Sequence, residues 1–230
     1  MLQLDIITLF PELFTAWMTS GINRRAFDLT LAQAVFWNPR DFVSDTYRRV
    51  DDRPYGGGPG MVMLAAPLAA AIQAAKARQA LHGNQNPTVL YLSAQGKPTQ
   101  HKDIESLNQN NGLIVLCGRY EGVDQRLLDH YVTQQLCVGD FVVSGGELPA
   151  MMVMDAMLRL LPGVLNDPQS AQADSFYNGL LDHTHYTRPE VFEGAAVPAV
   201  LMSGNHADIA AWRRRQALEL TLTLRPDLLQ

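Results

Sequence analysis

Three glycine-bearing runs carry the groups best suited to chemistry in this chain. In Val138–Pro149, the residues Gly139, Gly145 and Gly146 strip side chains from a loop that follows a short apolar strand and precedes an amphipathic segment. Bare main-chain N–H and C=O groups can receive a flat heterocycle such as an adenine edge without a phosphate cradle. Tyr91-Leu92-Ser93-Ala94-Gln95-Gly96 and Cys117-Gly118-Arg119-Tyr120-Glu121-Gly122 repeat the arrangement, an apolar strand ending in a glycine loop. Three such strand ends predict one pocket.

A fourth run, Asp51–Met61, places Gly56, Gly57 and Gly58 between Tyr55 and Pro59. It reads either as a flexible surface loop or as a shaped loop approaching a nucleotide, with Arg53 for charge and Tyr55 for stacking. The second reading is favoured, because a plain linker needs neither an arginine nor an aromatic there. Other chemistries are excluded by pattern. No Gly-x-Gly-x-x-Gly follows a strand, Gly96-Lys97 lacks the upstream glycine of a P-loop, and Ser144 is not in a nucleophile elbow. His183-x-His185 shows no acidic or cysteine partner at a suitable spacing, so a structural or RNA-contacting role is preferred and no metal site is assigned. Cys117 and Cys137 form no Cys-x-x-Cys pair and read as buried thiols.

The elements that must position these runs follow from periodicity. Leu2–Leu9 reads as a buried strand and Pro67–Leu81 as an alanine-rich helix. Thr88–Leu92 precedes helical Lys102–Asn108, Leu113–Cys117 precedes Asp124–Tyr131, and Leu136–Val138 precedes Ala150–Leu160. That alternation predicts an α/β fold, a parallel sheet with helices on both faces, whose ligands bind at the carboxyl ends of strands. After Leu161, the turn-rich stretch to Ser175 reads as a linker, and a helix is expected over Ala207–Leu224 in a small second domain. The 230 residues, 47% hydrophobic, suffice for a substantial core. No apolar run approaches the roughly 20 residues of a membrane span, and the N-terminus lacks a signal-peptide pattern, so a cytoplasmic location is expected. The net charge of −5 opposes general nucleic-acid binding. Clusters at Arg24-Arg25, Arg48-Arg49 with Arg53, and Arg213-Arg214-Arg215 can still steer a polyanion locally, though each also fits a solvated surface.

These runs, in this order, with Leu9-Phe10-Pro11-Glu12, Pro162-Gly163-Val164-Leu165, Asp174-Ser175-Phe176, His185–Glu190 and Leu201–Ala207 with Trp212, resemble the bacterial tRNA (guanine-N1)-methyltransferase family. The resemblance covers nearly the whole chain. It implies a deep C-terminal trefoil knot of the SPOUT type in residues 1–161, a linker at 162–175, a helical tRNA-binding domain at 176–230, and a homodimer. It also implies S-adenosyl-L-methionine held by Tyr91, Leu92, Ser93, Gly118, Tyr120, Glu121, Gly122, Val138, Gly139, Asp140, Phe141, Val142, Val143, Gly145, Gly146 and Pro149. Arg53, Tyr55, Gly58, Gly60, His185 and Arg188 would contact tRNA, and Mg2+ is expected on resemblance alone. Ala94, Phe141 and Ala173 depart from residues common in the family.

The reaction so implied constrains two roles. Guanine N1 carries a proton at neutral pH, so its methylation needs a base and a cation for charge developing on the exocyclic oxygen. The resemblance gives these roles to Asp174, supplied by the partner subunit, and Arg159. A ribose methyltransferase of the same fold and a non-catalytic S-adenosylmethionine-binding or RNA-binding module are the rival readings.

Overall fold

The structure is a computed structural model that describes residues 1–167 and 169–229; Pro168 of the expected linker and Gln230 of the expected helical domain lie outside them. The chain divides into two compact units, Met1–Asn166 and Asp167–Gln230. The first is built on a five-stranded sheet of β1 (Leu2–Ile7), β2 (Ala32–Trp37), β5 (Thr88–Pro98), β6 (Gly112–Leu116) and β7 (Gln134–Cys137). Its order is β2-β1-β6-β5-β7, and every pairing is parallel. Two-residue strands β3 (Asp51–Asp52) and β4 (Val62–Met63) pair beside it in an antiparallel ladder.

Alternation along the strands feeds two apolar layers. Leu2, Leu4 and Ile6 of β1, with Leu113 and Val115 of β6 and Leu90 of β5, face α1 (Phe14–Thr19), α2 (Gly21–Asp28), α4 (His101–Asn108) and α6 (Glu147–Arg159). Ile7, Ile114, Leu116 and Val89 face α3 (Ala65–Leu81) and α5 (Gln125–Tyr131). Helices therefore cover both faces, as strands buried on two sides require. Asp5, fully buried on the α3 side, is held by Arg78 at 2.8 Å, Gln79 Nε2 at 2.6 Å and Trp37 Nε1 at 2.7 Å, which offsets the desolvation of its charge.

Two helices begin two or more residues earlier than the sequence predicts, and α4 and the helix His206–Leu224 begin one residue earlier. α3 starts at Ala65 rather than Pro67, and α6 at Glu147 rather than Ala150. In each, the proline that suggested a boundary is the third helical residue, where its missing N–H has no intrahelical partner to lose. β2 has no counterpart in the sequence reading; Ala-Gln-Ala-Val-Phe-Trp is a short edge strand without a clean apolar repeat. β5 runs on to Pro98, past the expected end at Leu92, with a break of register against β7 between Leu92 and Lys97. That four-residue excursion is the first glycine loop.

The second unit holds α7 (Gln169–Ala173), a small hairpin of β8 (Val191–Phe192) and β9 (Ala195–Ala196), α8 (Ala199–Met202) and the long α9 (His206–Leu224). α9 is capped by Asn205, whose side chain accepts from the N–H groups of Ala207 and Asp208. Within the stretch expected to be a linker, Val164 is buried in the first unit, and Arg25 donates to the Gly163 carbonyl at 3.2 Å and to the Asn166 side chain. Among the described residues no helix is long and apolar enough to cross a membrane.

Candidate active site

The excursion within β5 and the loops after β6 and β7 meet around one cavity of about 360 Å³. Its walls include Tyr91, Leu92 and Ser93 from the first loop and Gly118, Tyr120, Glu121 and Gly122 from the second. Val138, Gly139, Phe141, Val142, Val143, Gly145, Gly146 and Pro149 come from the third. Asp140 is exposed and does not line it. Arg119, Gln125, Cys137, Ser144, Ala94 and Gln95 line it without having been singled out. Arg119 and Cys137 lie in or beside the glycine runs and were within reach of the sequence reading. Gln125 opens α5, and nothing local marks it.

The loops fit together because backbone touches backbone. A Cβ on Gly146 would lie 2.9 Å from Cys117 Cα and from Gly118 N, and one on Gly96 would lie 2.5–2.7 Å from the Leu136 main chain. Neither position can carry a side chain without prising these backbone contacts apart, and the Gly146 N–H donates to the Gly118 carbonyl at 2.8 Å. The apolar lining from Leu92, Leu136, Val138 and Pro149 beside exposed main-chain polar groups suits a flat heterocycle.

A buried ionic brace fixes the third loop. Glu147, 1% exposed, accepts from Thr8 Oγ1 at 2.8 Å and pairs with Arg119 Nε at 2.9 Å. Arg119 in turn donates to the Ser144 carbonyl at 3.2 Å and lies over the Phe10 ring, 4.4 Å from its centroid. Phe10 N–H donates back to Thr8 Oγ1 at 3.0 Å, closing the circuit. Glu147 follows the glycine pair directly, yet its partner could not be read from the sequence, because the contact exists only once the loops cross.

Two titratable groups in these loops, Tyr91 and Cys117, are shifted toward their neutral forms. Burial raises the Tyr91 phenol, whose ring backs Gly118. Burial, reinforced by the Glu147 carboxylate and opposed by Arg119, pushes the Cys117 thiol well above its ordinary value. A thiol held protonated in this way is a poor nucleophile.

The remaining candidates lie elsewhere. Arg53, Tyr55 and Gly58 are exposed, Tyr55 completely, on the loop between β3 and β4. Gly60 at the end of that loop abuts the Glu121 carboxylate, and the Glu121 N–H donates to the Met61 carbonyl at 2.9 Å, so this loop borders the cavity's second wall. Arg159 is half-buried in the last turn of α6, in the first unit. Asp174 is exposed just after α7, in the second unit, as are His185 and Arg188. Glu121 is the one carboxylate among the cavity-lining residues. Mg2+ takes one or two carboxylates and keeps several waters, so the cavity offers the minimum for such an ion.

The family model described as tRNA (Guanine-1)-methyltransferase TrmD matches residues 2–230. The tRNA (guanine-N(1)-)-methyltransferase of Janthinobacterium sp. (strain Marseille) is 61% identical over 228 residues, covering 99% of this chain and 92% of that protein. Its namesakes from Herminiimonas arsenicoxydans and Burkholderia ambifaria (strain ATCC BAA-244) are each 59% identical over 99% of this chain, which spans 92% and 86% of their lengths. With glycine loops meeting at a strand-end cavity, a match along almost the full sequence and such identities, the chain belongs to the tRNA (Guanine-1)-methyltransferase TrmD family.

Proposed function

We propose that this chain carries out its family's reaction, methylation of guanine N1 in tRNA, at the cavity formed by the excursion within β5 and the loops after β6 and β7, with the guanosine immediately 3′ of the anticodon as acceptor. The observation that carries this reading is the cavity wall, which is main chain at Gly118, Gly122, Gly145 and Gly146 and apolar at Leu92, Leu136 and Pro149. These residues, with Tyr91 and Val138, would hold the adenosyl part of S-adenosyl-L-methionine. That substrate supplies an electrophilic methyl group on a sulfonium.

The chain's own groups do the rest. Glu121 at the rim offers the negative charge that suits a sulfonium and an α-amino group. Asp174 takes the N1 proton, and the Arg159 guanidinium donates to the guanine oxygen as negative charge builds there. An exposed carboxylate is a weak base, so Asp174 acts only when docked RNA removes water from it. Asp174 would come from a second copy of the chain. A homodimer is supported by two apolar side chains left exposed one turn apart on α6, Leu148 and Met152.

The close approach of the third loop to Cys117 and Gly118 after β6, and of Gly96 to Leu136 of β7, supports a trefoil knot in residues 1–161, with 162–175 as tether and 176–230 as a helical tRNA-binding domain. Arg53 and Tyr55 on their exposed loop, with Arg188 and His185, would contact the RNA. Glu121 would supply one ligand to Mg2+, and no step here passes through that ion. The test is methyl transfer from labelled S-adenosyl-L-methionine to an unmodified tRNA transcript, followed by nucleoside analysis. N1-methylguanosine at the base after the anticodon is expected, and loss of the label when that guanosine is replaced. Label on ribose, or undiminished label on the replaced transcript, overturns the reading.

A further inference from the structure

The second unit contains a cluster of ligand-type side chains that the methyl-transfer chemistry leaves unused. The irregular chain after Leu180 folds Asp182, His183 and His185 together, so that one donor atom from each lies within 4.8 Å of the others. Asp182 is the acidic partner that the histidine spacing alone did not reveal. His185 Nε2 lies 2.9 Å from Asp182 Oδ2, and His183 Nε2 lies 3.8 Å from Asp182 Oδ1.

Two further observations indicate that these atoms are set up for a cation. His183 Nδ1 is 2.9 Å from the Thr184 carbonyl oxygen, which can only accept, so Nδ1 carries a proton. In the neutral ring, Nε2 then presents a lone pair toward a carboxylate oxygen at a distance too long for a hydrogen bond. A backbone carbonyl on the far ring nitrogen is also the outer support that metal-bound histidines use. The second observation is anchoring. Asp182 N–H donates to Ser175 Oγ at 2.9 Å, His183 N–H donates to Asp182 Oδ1 at 2.7 Å, and the His183 ring lies edge-on to Trp212, centroids 6.2 Å apart. The His183 and Asp182 side chains are 15% and 23% exposed, whereas His185 is 70% exposed and forms the open side.

We propose that Asp182, His183 Nε2 and His185 Nε2 bind a borderline transition-metal cation, Zn2+ being the type, with water in the fourth position. Two imidazoles and one carboxylate suit Zn2+ and disfavour Mg2+, which prefers all-oxygen shells. A tetrahedral ion with bonds of about 2.0–2.2 Å holds its ligand atoms about 3.3–3.6 Å apart, so the spread of up to 4.8 Å must contract, which rotation of the exposed His185 can supply. His185 gives up its Nε2 proton to solvent and takes one on Nδ1, leaving the ring neutral and the coordinating nitrogen free.

Isothermal titration of the full chain with Zn2+, in a buffer that does not chelate it, tests the site. Saturable uptake is expected in the wild type, at least ten-fold weaker in His185→Ala and in Asp182→Asn, and unchanged in His130→Ala and His206→Ala. Zn2+ should also slow amide exchange over residues 175–185 in the wild type, and excess Mg2+ should not displace it. Circular dichroism confirms that each variant is folded, and the exposed His185 makes its variant the safest. No saturable uptake by the wild type, or uptake undiminished in both His185→Ala and Asp182→Asn, an adventitious ion only, overturns the proposal.

Discussion

Glu147 and Asp174 are both carboxylates, and their surroundings differ: one is buried, the other exposed. Glu147 is sealed between Thr8 and Arg119 and holds structure, while Asp174 is exposed on the second unit, where the proposed reaction places its base. Replacing Arg119 by Met leaves the Glu147 charge buried with Thr8 as its remaining partner, and losing one member of a buried pair costs about 3–5 kcal/mol. Chemical denaturation should show that loss, and calorimetry should show weaker S-adenosyl-L-methionine binding as the Ser144 loop loosens. A stability within about 1 kcal/mol of wild type would remove the brace from the account. Asp174→Asn should leave donor binding nearly intact and abolish turnover; equal loss of both would take Asp174 out of the chemical step. At this scale the glycines were legible because a missing side chain is itself a sequence feature. The Glu147–Arg119 pairing was not, since no local pattern announces a contact made by crossing loops.

Elements report the same division. The strand-helix alternation from Thr88 to Arg159 could be read because each apolar run is short and each helix periodic, whereas the prolines at the third positions of α3 and α6 masked their first turns. α4 shows how a local rule also tunes stability. Its capping box joins Gln100 to Asp103, whose carboxylate accepts from the Gln100 N–H at 2.9 Å and from Lys97 Nζ of β5 at 2.7 Å. Burial works to raise the Asp103 pKa, but the Lys97 hydrogen bond, the Gln100 N–H and the nearby lysine charges outweigh it and hold the carboxyl below its ordinary 3.8. A depressed folded value means the contribution is complete above the unfolded pKa and fades as pH falls through the folded one. Asp103→Asn should therefore flatten the loss of stability below about pH 4 and cost about 1 kcal/mol at neutral pH. An unchanged acid limb in denaturation curves would show that the pair carries no linkage. Gly96→Val tests the other junction. A side chain against the Leu136 backbone should separate β5 from β7 and abolish donor binding, and a folded variant that binds normally would contradict the close approach described.

For the whole molecule, the acidic net charge misdirects, because recognition of RNA depends on where cations cluster rather than on their sum. Arg213, Arg214 and Arg215 stand exposed together on α9, and Arg53 stands out on its own loop. The parallel order of β1, β5, β6 and β7 and the cavity at their ends followed from chain patterning, whereas the edge strand β2 did not. The division at Asn166 could not, since Val164 and Arg25 tie what reads as loose linker onto the first unit. The exposed Leu148 and Met152 side chains should lie in a subunit contact. Replacing both by Glu should yield a monomer in sedimentation analysis that no longer methylates tRNA, and a fully active monomer would contradict assembly of the site from two copies. The most direct test of the central claim, that main chain at three crossing loops grips the methyl donor, is titration calorimetry of S-adenosyl-L-methionine into the folded wild type and Gly146→Val side by side. Saturable uptake by the wild type that is lost in the variant is predicted; no uptake by the wild type, or equal uptake by both, would contradict it.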